Sequence, residues 1–203
     1  MSDCDCQHEA TNPTERKVLL IALALNAMMA LVGGIAGWAS QSTGLMADAL
    51  DMLSDATAYA IGLVAIGRSA RFKANAAYAS GLFLLLLGLG VLAEVARRAV
   101  SGSEPEGSWM IGVSLVSLAV NVAVLRMLSP LRAGGVNLRA SWIFTRADVV
   151  ANVGVILSGT LVALLETRYP DLIIGTLIGL YVIREAFEIL AEARKSKSES
   201  LPA

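Results

Sequence analysis

The sequence has 203 residues, of which 56% are hydrophobic and only 16% are charged. A soluble domain would have about 25% charged residues, and the apolar residues here form long continuous segments, so a soluble globular protein is excluded. The formal net charge of -1 gives no indication of a nucleic-acid partner. We therefore predict an all-α, polytopic membrane protein whose helices contact the lipid bilayer.

The polar N-terminal segment, residues 1–16, is predicted to be a flexible tail. It contains Cys4, Cys6 and His8 in a C-x-C-x-H pattern. Thiolate and imidazole groups are ligands for transition metals, but three ligands without a scaffold specify little. A metal-binding tail and a tail without a metal therefore both remain open. The two cysteines are too close in sequence to staple a fold.

Six apolar segments follow in chain order, each of a length that can cross the hydrocarbon core as a helix. We predict spans at residues 18–38, 45–67, 78–100, 109–128, 141–165 and 170–191. Together they form one six-helix transmembrane domain, residues 17–193. The remaining residues, 194–203, are predicted to form a short C-terminal tail.

Six spans place both termini on one side of the membrane, and the basic residues predict which side it is. With cytoplasmic termini, only Arg97, Arg98 and Arg168 of the loop residues fall outside. The basic residues on the cytoplasmic side would be Arg16, Lys17, Arg68, Arg71, Lys73, Arg126, Arg132, Arg139, Arg194, Lys195 and Lys197. We therefore predict cytoplasmic termini and a multi-pass location in the inner (plasma) membrane.

The second segment carries Asp48, Asp51 and Asp55 inside an otherwise apolar helix. Spacings of three and four residues place the three carboxylates on one helical face. Each Asp in a bilayer costs about 2.5–3.5 kcal/mol on insertion scales. Because no Lys or Arg lies between Ser40 and Gly67, the compensating charge must be a bound metal ion, a proton or a basic residue of another helix.

The fifth segment carries Asp148 and, one turn later, Asn152. Oxygen ligands one turn apart on each of two packed helices can converge on one metal ion. We also consider that Asn152 only makes an interhelical hydrogen bond, and that Asp48 only marks an outer helix end. An ion pair between Asp148 and Arg146 is disfavoured, because residues two apart point to different faces of a helix.

Two sets of ligands follow from the antiparallel directions of the two segments. An inner set comprises Asp51, Asp55 and Asp148, completed by water or Asn26. An outer set comprises Asp48, Asp51, Asp148 and Asn152. We favour the inner set, because Asp55 is nearest to the bilayer midplane, where an uncompensated charge is most costly.

Several motifs resemble the cation diffusion facilitator family over about residues 16–193. They are Leu25-Asn26, Gly34, the run from Gly44 to Ala56, the run from Asp148 to Gly154 and the run from Asp171 to Gly179. The resemblance implies a six-helix unit, usually a homodimer, that exports divalent transition metals in exchange for protons. It also implies a short form of the family, without the cytoplasmic C-terminal domain of its relatives.

In that family, paired ligands four residues apart on the second and fifth spans hold the metal. Asp51 and Asp55 match the second-span pair, and Asp148 matches the outer member of the fifth-span pair. The inner member, often His or Asp, falls on Phe144 in this sequence. This departure removes one ligand of the usual tetrahedral site.

The predicted site contains oxygen ligands only, because the spans contain no histidine. Carboxylate and amide ligands favour manganese, iron or cobalt over strict zinc selectivity, although zinc also accepts carboxylates. The metal would be a transported ion, and no resident cofactor is predicted. The function predicted from these features is efflux of a divalent cation by metal/proton antiport with alternating access.

Two other functions are weighed against transport. Three carboxylates could hold a catalytic metal in an intramembrane metalloenzyme, but the sequence contains no nucleophile motif and no HExxH. We therefore predict that the chain is not an enzyme. A non-transporting membrane subunit that senses metal is the remaining alternative, and metal uptake in sealed vesicles would separate the three.

Overall fold

The computed structural model of the protein describes residues 13–64, 70–131 and 136–199. Within these ranges the chain is helical, as predicted, with short connections and one 3₁₀ turn at Ser129–Leu131. The described helices are α1 (Pro13–Ala39), α2 (Thr43–Val64), α3 (Ala70–Ser101), α4 (Gly107–Leu128), α5 (Val136–Leu165) and α6 (Tyr169–Glu199). Cys4, Cys6 and His8 lie outside the described residues, so metal binding by them stays a prediction.

Four of the helices are long and apolar enough to cross a membrane. They are α1, the 74–101 part of α3, α4 and the 145–165 part of α5. The other two helices, α2 and α6, contain several acidic or basic residues, but α2 has 22 residues, which at a rise of about 1.5 Å per residue matches a hydrocarbon core of about 30 Å. The prediction of an all-α protein with several membrane-crossing helices is confirmed, whereas the side that the termini face stays a prediction.

The helices extend beyond the apolar segments from which the spans were predicted. Helix α1 begins at Pro13, inside the predicted tail of residues 1–16, and proline is favoured in the first turn of a helix. Helix α6 continues through Glu199, so helical structure covers part of the predicted C-terminal tail, residues 194–203. Hydropathy detects only the part of a helix in lipid, whereas backbone hydrogen bonding continues into the polar residues at the interface.

Helix α2 lies at the centre of the helix packing and contacts α1, α3, α4, α5 and α6. Small residues permit these close approaches. A Cβ atom added to Gly37 of α1 would lie 2.8 Å from the backbone nitrogen of Met46, and one added to Gly33 would lie 3.2 Å from Cβ of Ala49. The acidic helix is therefore enclosed by its neighbours.

Large apolar side chains cover the outside of the bundle, and its interior contains polar side chains beside two apolar core clusters. Large exposed hydrophobic residues include Leu31, Ile35, Trp38, Val150 and Leu164, as expected for surfaces that face lipid. The buried polar residues include Asn26, Asp48, Asp51, Ser54, Asp55, Ser117, Asn121, Thr145, Asp148, Asn152, Asp171 and Glu185. Because buried polar groups in a membrane are costly, their concentration around α2 identifies the candidate site.

Candidate intramembrane metal site

Asp171, in the first turn of α6, fixes the start of α2. Its carboxylate accepts hydrogen bonds from the backbone N–H groups of Thr43 (2.7 Å) and Gly44 (3.0 Å). It also accepts hydrogen bonds from the hydroxyl groups of Thr43 (2.8 Å) and Ser42 (2.5 Å). A carboxylate here satisfies backbone donors that have no partner within the helix and interacts favourably with the helix dipole. Helices α2 and α6 start together at this junction and run parallel.

The three aspartates of α2 are buried, as their common face predicted. Asp48 and Asp51 are each 2% exposed and Asp55 is 7% exposed. Asp48 therefore does not occupy a water-exposed helix end. Asp148 of α5 is also 2% exposed, so all four predicted carboxylates lie within the bundle.

Asp148 meets two of the α2 carboxylates. Its carboxyl group lies within hydrogen-bonding reach of those of both Asp51 and Asp55. One oxygen of Asp51 and one of Asp148, the Oδ2 atom in each, are buried without a hydrogen-bond partner. The structure thus brings together the three residues of the predicted inner set.

The remaining predicted residues form a separate pair toward the N-terminal end of α2. Nδ2 of Asn152 donates a 2.5 Å hydrogen bond to Oδ1 of Asp48. Nδ2 of Asn121, on α4, donates a 3.1 Å hydrogen bond to Oδ1 of Asn152. Asn152 is therefore level with Asp48, as their place together in the predicted outer set requires, and it makes interhelical hydrogen bonds.

Two residues that the sequence analysis did not identify complete the inner end of the cluster. The hydroxyl group of Tyr59 donates a 3.2 Å hydrogen bond to Oδ2 of Asp55 and lies 3.1 Å from Oγ1 of Thr145. Tyr59 follows Asp55 by four residues and Thr145 precedes Asp148 by three, so both lie on the acidic faces of their helices. This spacing was the signal that could have identified them.

Glu185 of α6 is the third residue that the sequence analysis missed. It is 9% exposed, and its Oε2 accepts a 3.1 Å hydrogen bond from the hydroxyl group of Ser54. It interacts electrostatically with Asp51 and Asp55. The sequence feature that could have identified Glu185 is the position of this acidic residue within the predicted sixth membrane span.

Asn26 and Arg146 were considered as partners of the acidic residues. Asn26 is fully buried, and its Nδ2 donates to the carbonyl oxygen of Ala22 in its own helix (3.0 Å), while its Oδ1 has no partner. Asn26 therefore makes no hydrogen bond to the aspartates. Arg146 is exposed whereas Asp148 is buried, so the two side chains point apart, as their spacing predicted.

The acidic cluster has no basic counterpart in the part of the chain that the structure describes. The ion pairs found there join Glu94 to Arg97 and Arg98, and Arg184 to Glu188. Of the three compensating charges considered above, a basic residue of another helix is thus not provided by the described residues. Protons or a bound cation remain.

The described side chains do not form a complete metal-binding site. Across residues 13–64, 70–131 and 136–199, no group of three or more His, Cys, Asp or Glu side chains is arranged to hold a metal ion. Asp148 lies close to two α2 carboxylates, but the three are not arranged as a metal site. The side chain of Phe144 lies outside the described ones. Metal ligation by the predicted site residues therefore stays a prediction: Asp48, Asp51, Asp55, Asp148 and Asn152.

Comparison with known proteins identifies the family. The sequence profile of the cation efflux transmembrane domain matches residues 19–196. The chain is 28% identical to the metal cation efflux system protein CzcD of Cupriavidus metallidurans, over 96% of this chain and 65% of that protein. It is 27% identical to the zinc transporter ZitB of Yersinia pestis, over 92% of this chain and 64% of that protein.

A third relative is the cadmium, cobalt and zinc/H(+)-K(+) antiporter of Bacillus velezensis. It is 24% identical over 96% of this chain and 67% of its own length. The chain thus spans 65% of the length of CzcD and 64% of that of ZitB. With the family profile matching most of the chain and the acidic residues buried between α2 and α5, the chain belongs to the cation efflux, or cation diffusion facilitator, family of transporters.

Proposed function

We propose that the protein exports divalent transition-metal cations across the inner membrane by exchanging them for protons at Asp51, Asp55 and Asp148. The observation that carries this proposal is the contact of Asp148 with both α2 carboxylates, deep in the bundle and without a described basic partner. Like charges this close repel strongly in a low dielectric. The cluster therefore holds either protons or a cation, and exchange between the two is antiport.

The inner set is the better candidate for the transported ion. The amide group of Asn152 already hydrogen-bonds with Asp48 and Asn121. By contrast, the Oδ2 atoms of Asp51 and Asp148 are buried and unpartnered, and an unpaired buried oxygen is costly unless it gains a partner such as a cation. This favours Asp51, Asp55 and Asp148 as ligands, with Asp48 and Asn152 as supporting residues.

Zinc and cobalt are the cations that we propose first. The names of the Yersinia and Bacillus relatives state zinc, cobalt and cadmium. Zinc accepts carboxylate ligands at about 2.0–2.2 Å, so an oxygen-rich site can bind it. Iron and manganese are the other ions that carboxylate ligands favour, and they are included in the test.

The transport cycle requires that the site open to each side of the membrane in turn. The proposed protein is a transporter and not an enzyme, it works within the lipid bilayer, and it acts as a homodimer as the family resemblance implies. The intramembrane metalloenzyme and the non-transporting metal sensor are the alternatives that the experiment must separate.

Reconstituted proteoliposomes with a metal-sensitive dye and a pH-sensitive dye inside test the proposal. We expect wild-type protein to move zinc or cobalt ions with an opposite flux of protons, and Asp51→Asn, Asp55→Ala and Asp148→Asn each to abolish both signals. Binding of metal without flux would favour a sensor. Full transport by the Asp55→Ala variant would contradict the inner set of ligands.

A further inference from the structure

Glu185 presents a carboxylate to the acidic cluster from a third helix. Its side chain reaches α2 at Ser54, the residue that precedes Asp55, with a hydrogen bond of 3.1 Å. Tyr181, one turn earlier on α6, lies beside the same carboxylate. The carboxylate is thus held at a defined position beside Asp51 and Asp55.

In the part of the chain that the structure describes, the charge of Glu185 has no basic partner that would explain its burial. Its neighbour Arg184 is exposed and forms a 2.9 Å ion pair with the exposed Glu188. Among the ion pairs of the described residues, none involves Glu185. A buried carboxylate that serves only to join two helices is expensive, because a neutral residue could accept the hydrogen bond of Ser54 at lower desolvation cost.

A second observation points from the cluster to a ligand. Oδ2 of Asp51 is buried and has no hydrogen-bond partner, and Asp51 and Glu185 interact electrostatically. These two buried carboxylates from different helices are close enough for their charges to interact, and one of them has an oxygen that accepts no hydrogen bond. They supply oxygen donors of the kind that divalent cations bind. Neither residue has a basic side chain to neutralise it in the described part of the chain.

We propose that Glu185 is a further cation-binding residue of the transport site, contributing a carboxylate from α6 to the ion held by Asp51 and Asp55. This inference rests on the proposed function and adds a third helix to the site. In this chain Glu185 supplies an oxygen ligand that the fifth helix does not provide at Phe144. The hydrogen bond from Ser54 holds the carboxylate in place when no cation is bound.

The parallel packing of α2 and α6 gives Glu185 a position along the path of the ion. Asp171 meets Thr43 at the start of both helices, and Glu185 meets Ser54 further along both. Glu185 therefore lies toward the C-terminal end of α2, beyond the level of Asp51. With cytoplasmic termini this is the inner side, so Glu185 would contact a cation that arrives from the cytoplasm before Asp51 does.

The test compares Glu185→Gln with Glu188→Gln in purified, reconstituted protein. Both substitutions remove one negative charge from α6, but Glu188 is exposed and paired with Arg184. Glutamine can still accept the hydrogen bond from Ser54. We expect Glu185→Gln to weaken zinc binding, measured calorimetrically with zinc ions alone, by at least the roughly 10–100-fold that the loss of a residue supporting a ligand costs, and to raise the KM for zinc transport. Glu188→Gln should match the wild type in both.

The outcomes separate this inference from the proposed function. Equal zinc affinity and KM in wild type and Glu185→Gln, with the wild type transporting, would overturn the role of Glu185 alone. Binding that depends on Glu185 in a wild type without flux would retain the residue as a ligand and overturn transport. Absence of zinc, cobalt, iron and manganese binding in the wild type would overturn both.

A purely structural role makes a different prediction. If Glu185 were only structural, the Glu185→Gln protein would have a lower midpoint of thermal unfolding but the same zinc affinity as the wild type. That result would count against the proposal. If Glu185→Gln does not give monodisperse protein, Glu185→Asp replaces it. Shortening the side chain by one methylene should weaken zinc binding several-fold, and an unchanged affinity would overturn the proposal.

Discussion

The carboxylate of Asp171 accepts hydrogen bonds from both the backbone N–H and the hydroxyl group of Thr43, at 2.7 and 2.8 Å. These bonds join the first turn of α6 to the first turn of α2, the helix that carries the acidic cluster. Side chains that cap a helix usually come from the same helix. Here Ser42 caps the N–H group of Leu45 locally (3.1 Å), but the N–H groups of Thr43 and Gly44 are capped by Asp171 of α6, so the start of α2 also depends on a contact between residues distant in sequence.

We expect Asp171→Ala to destabilise the protein by about 2 kcal/mol or more. The substitution leaves the N–H groups of Thr43 and Gly44 without a partner in a buried position, and unsatisfied buried donors cost about 1–3 kcal/mol each. Thermal unfolding in detergent, followed by circular dichroism, measures the loss. Asp171→Asn, which keeps one accepting oxygen, should lose less, and equal midpoints for wild type and Asp171→Ala would contradict the capping role.

Gly175→Ala is expected to push α6 away from α2. A Cβ atom at this position would lie 2.7 Å from Oγ1 and 2.9 Å from the carbonyl carbon of Thr43. Overpacking of this kind costs about 1–3 kcal/mol, and it should lower both the unfolding midpoint and the transport rate. Gly112→Ala in α4 is the matched control, because a Cβ atom there meets nothing within 4 Å. An unfolding midpoint and a transport rate equal to those of the wild type would show that the helices adjust to the added methyl group at little cost.

Asn152→Ala distinguishes the two ligand sets. If the cation is bound by Asp51, Asp55 and Asp148, the loss of Asn152 removes the hydrogen bond to Asp48 but no ligand. Supporting interactions of this kind change metal affinity by roughly 10–100-fold, so transport should be weakened yet measurable. Isothermal titration with zinc and flux measurements on the same sample check this. Complete loss of binding, equal to that of Asp148→Asn, would instead favour the outer set.

Tyr59→Phe tests the hydrogen bonds at the inner end of the cluster. The substitution removes the hydroxyl group between Asp55 and Thr145 and keeps the size of the ring. We expect zinc affinity to fall by up to roughly tenfold with little change in the unfolding midpoint, because the ring stays packed. Tyr78→Phe on α3 serves as a control away from the acidic residues. Unchanged affinity in Tyr59→Phe would show that Tyr59 does not orient Asp55.

The acidic face of α2 was predictable from the sequence because it follows from the helical period, and its contact with α5 was predicted from the polar pair Asp148 and Asn152 and from the family resemblance. Asp48, Asp51 and Asp55 repeat at the spacing of one helix face, and the antiparallel directions of two spans place Asn152 level with Asp48. The fold class followed in the same way from the long apolar segments. These are local regularities, and they do not depend on how the helices are arranged.

Glu185, Tyr59 and the cap by Asp171 could not be derived in this way. Each depends on which helices are neighbours, and hydropathy does not determine the order of helices in a bundle. The contact between α6 and α2 joins residues separated by more than 120 positions, such as Ser54 and Glu185. Helix ends were also misplaced, because helical hydrogen bonding continues into polar residues, as at the end of α6.

The junction of α2 with Asp171 has a mechanical consequence, because it fixes the position of one end of a stiff helix. With a rise of about 1.5 Å per residue, Asp48 lies about 7.5 Å and Asp55 about 18 Å along the axis from Thr43. A tilt of about 5° around the held end would displace Asp48 by about 0.7 Å and Asp55 by about 1.6 Å. Because Asp55 lies farther from Thr43 than Asp48 does, the Asp55–Asp148 contact is more sensitive to helix tilting than the Asp48–Asn152 hydrogen bond.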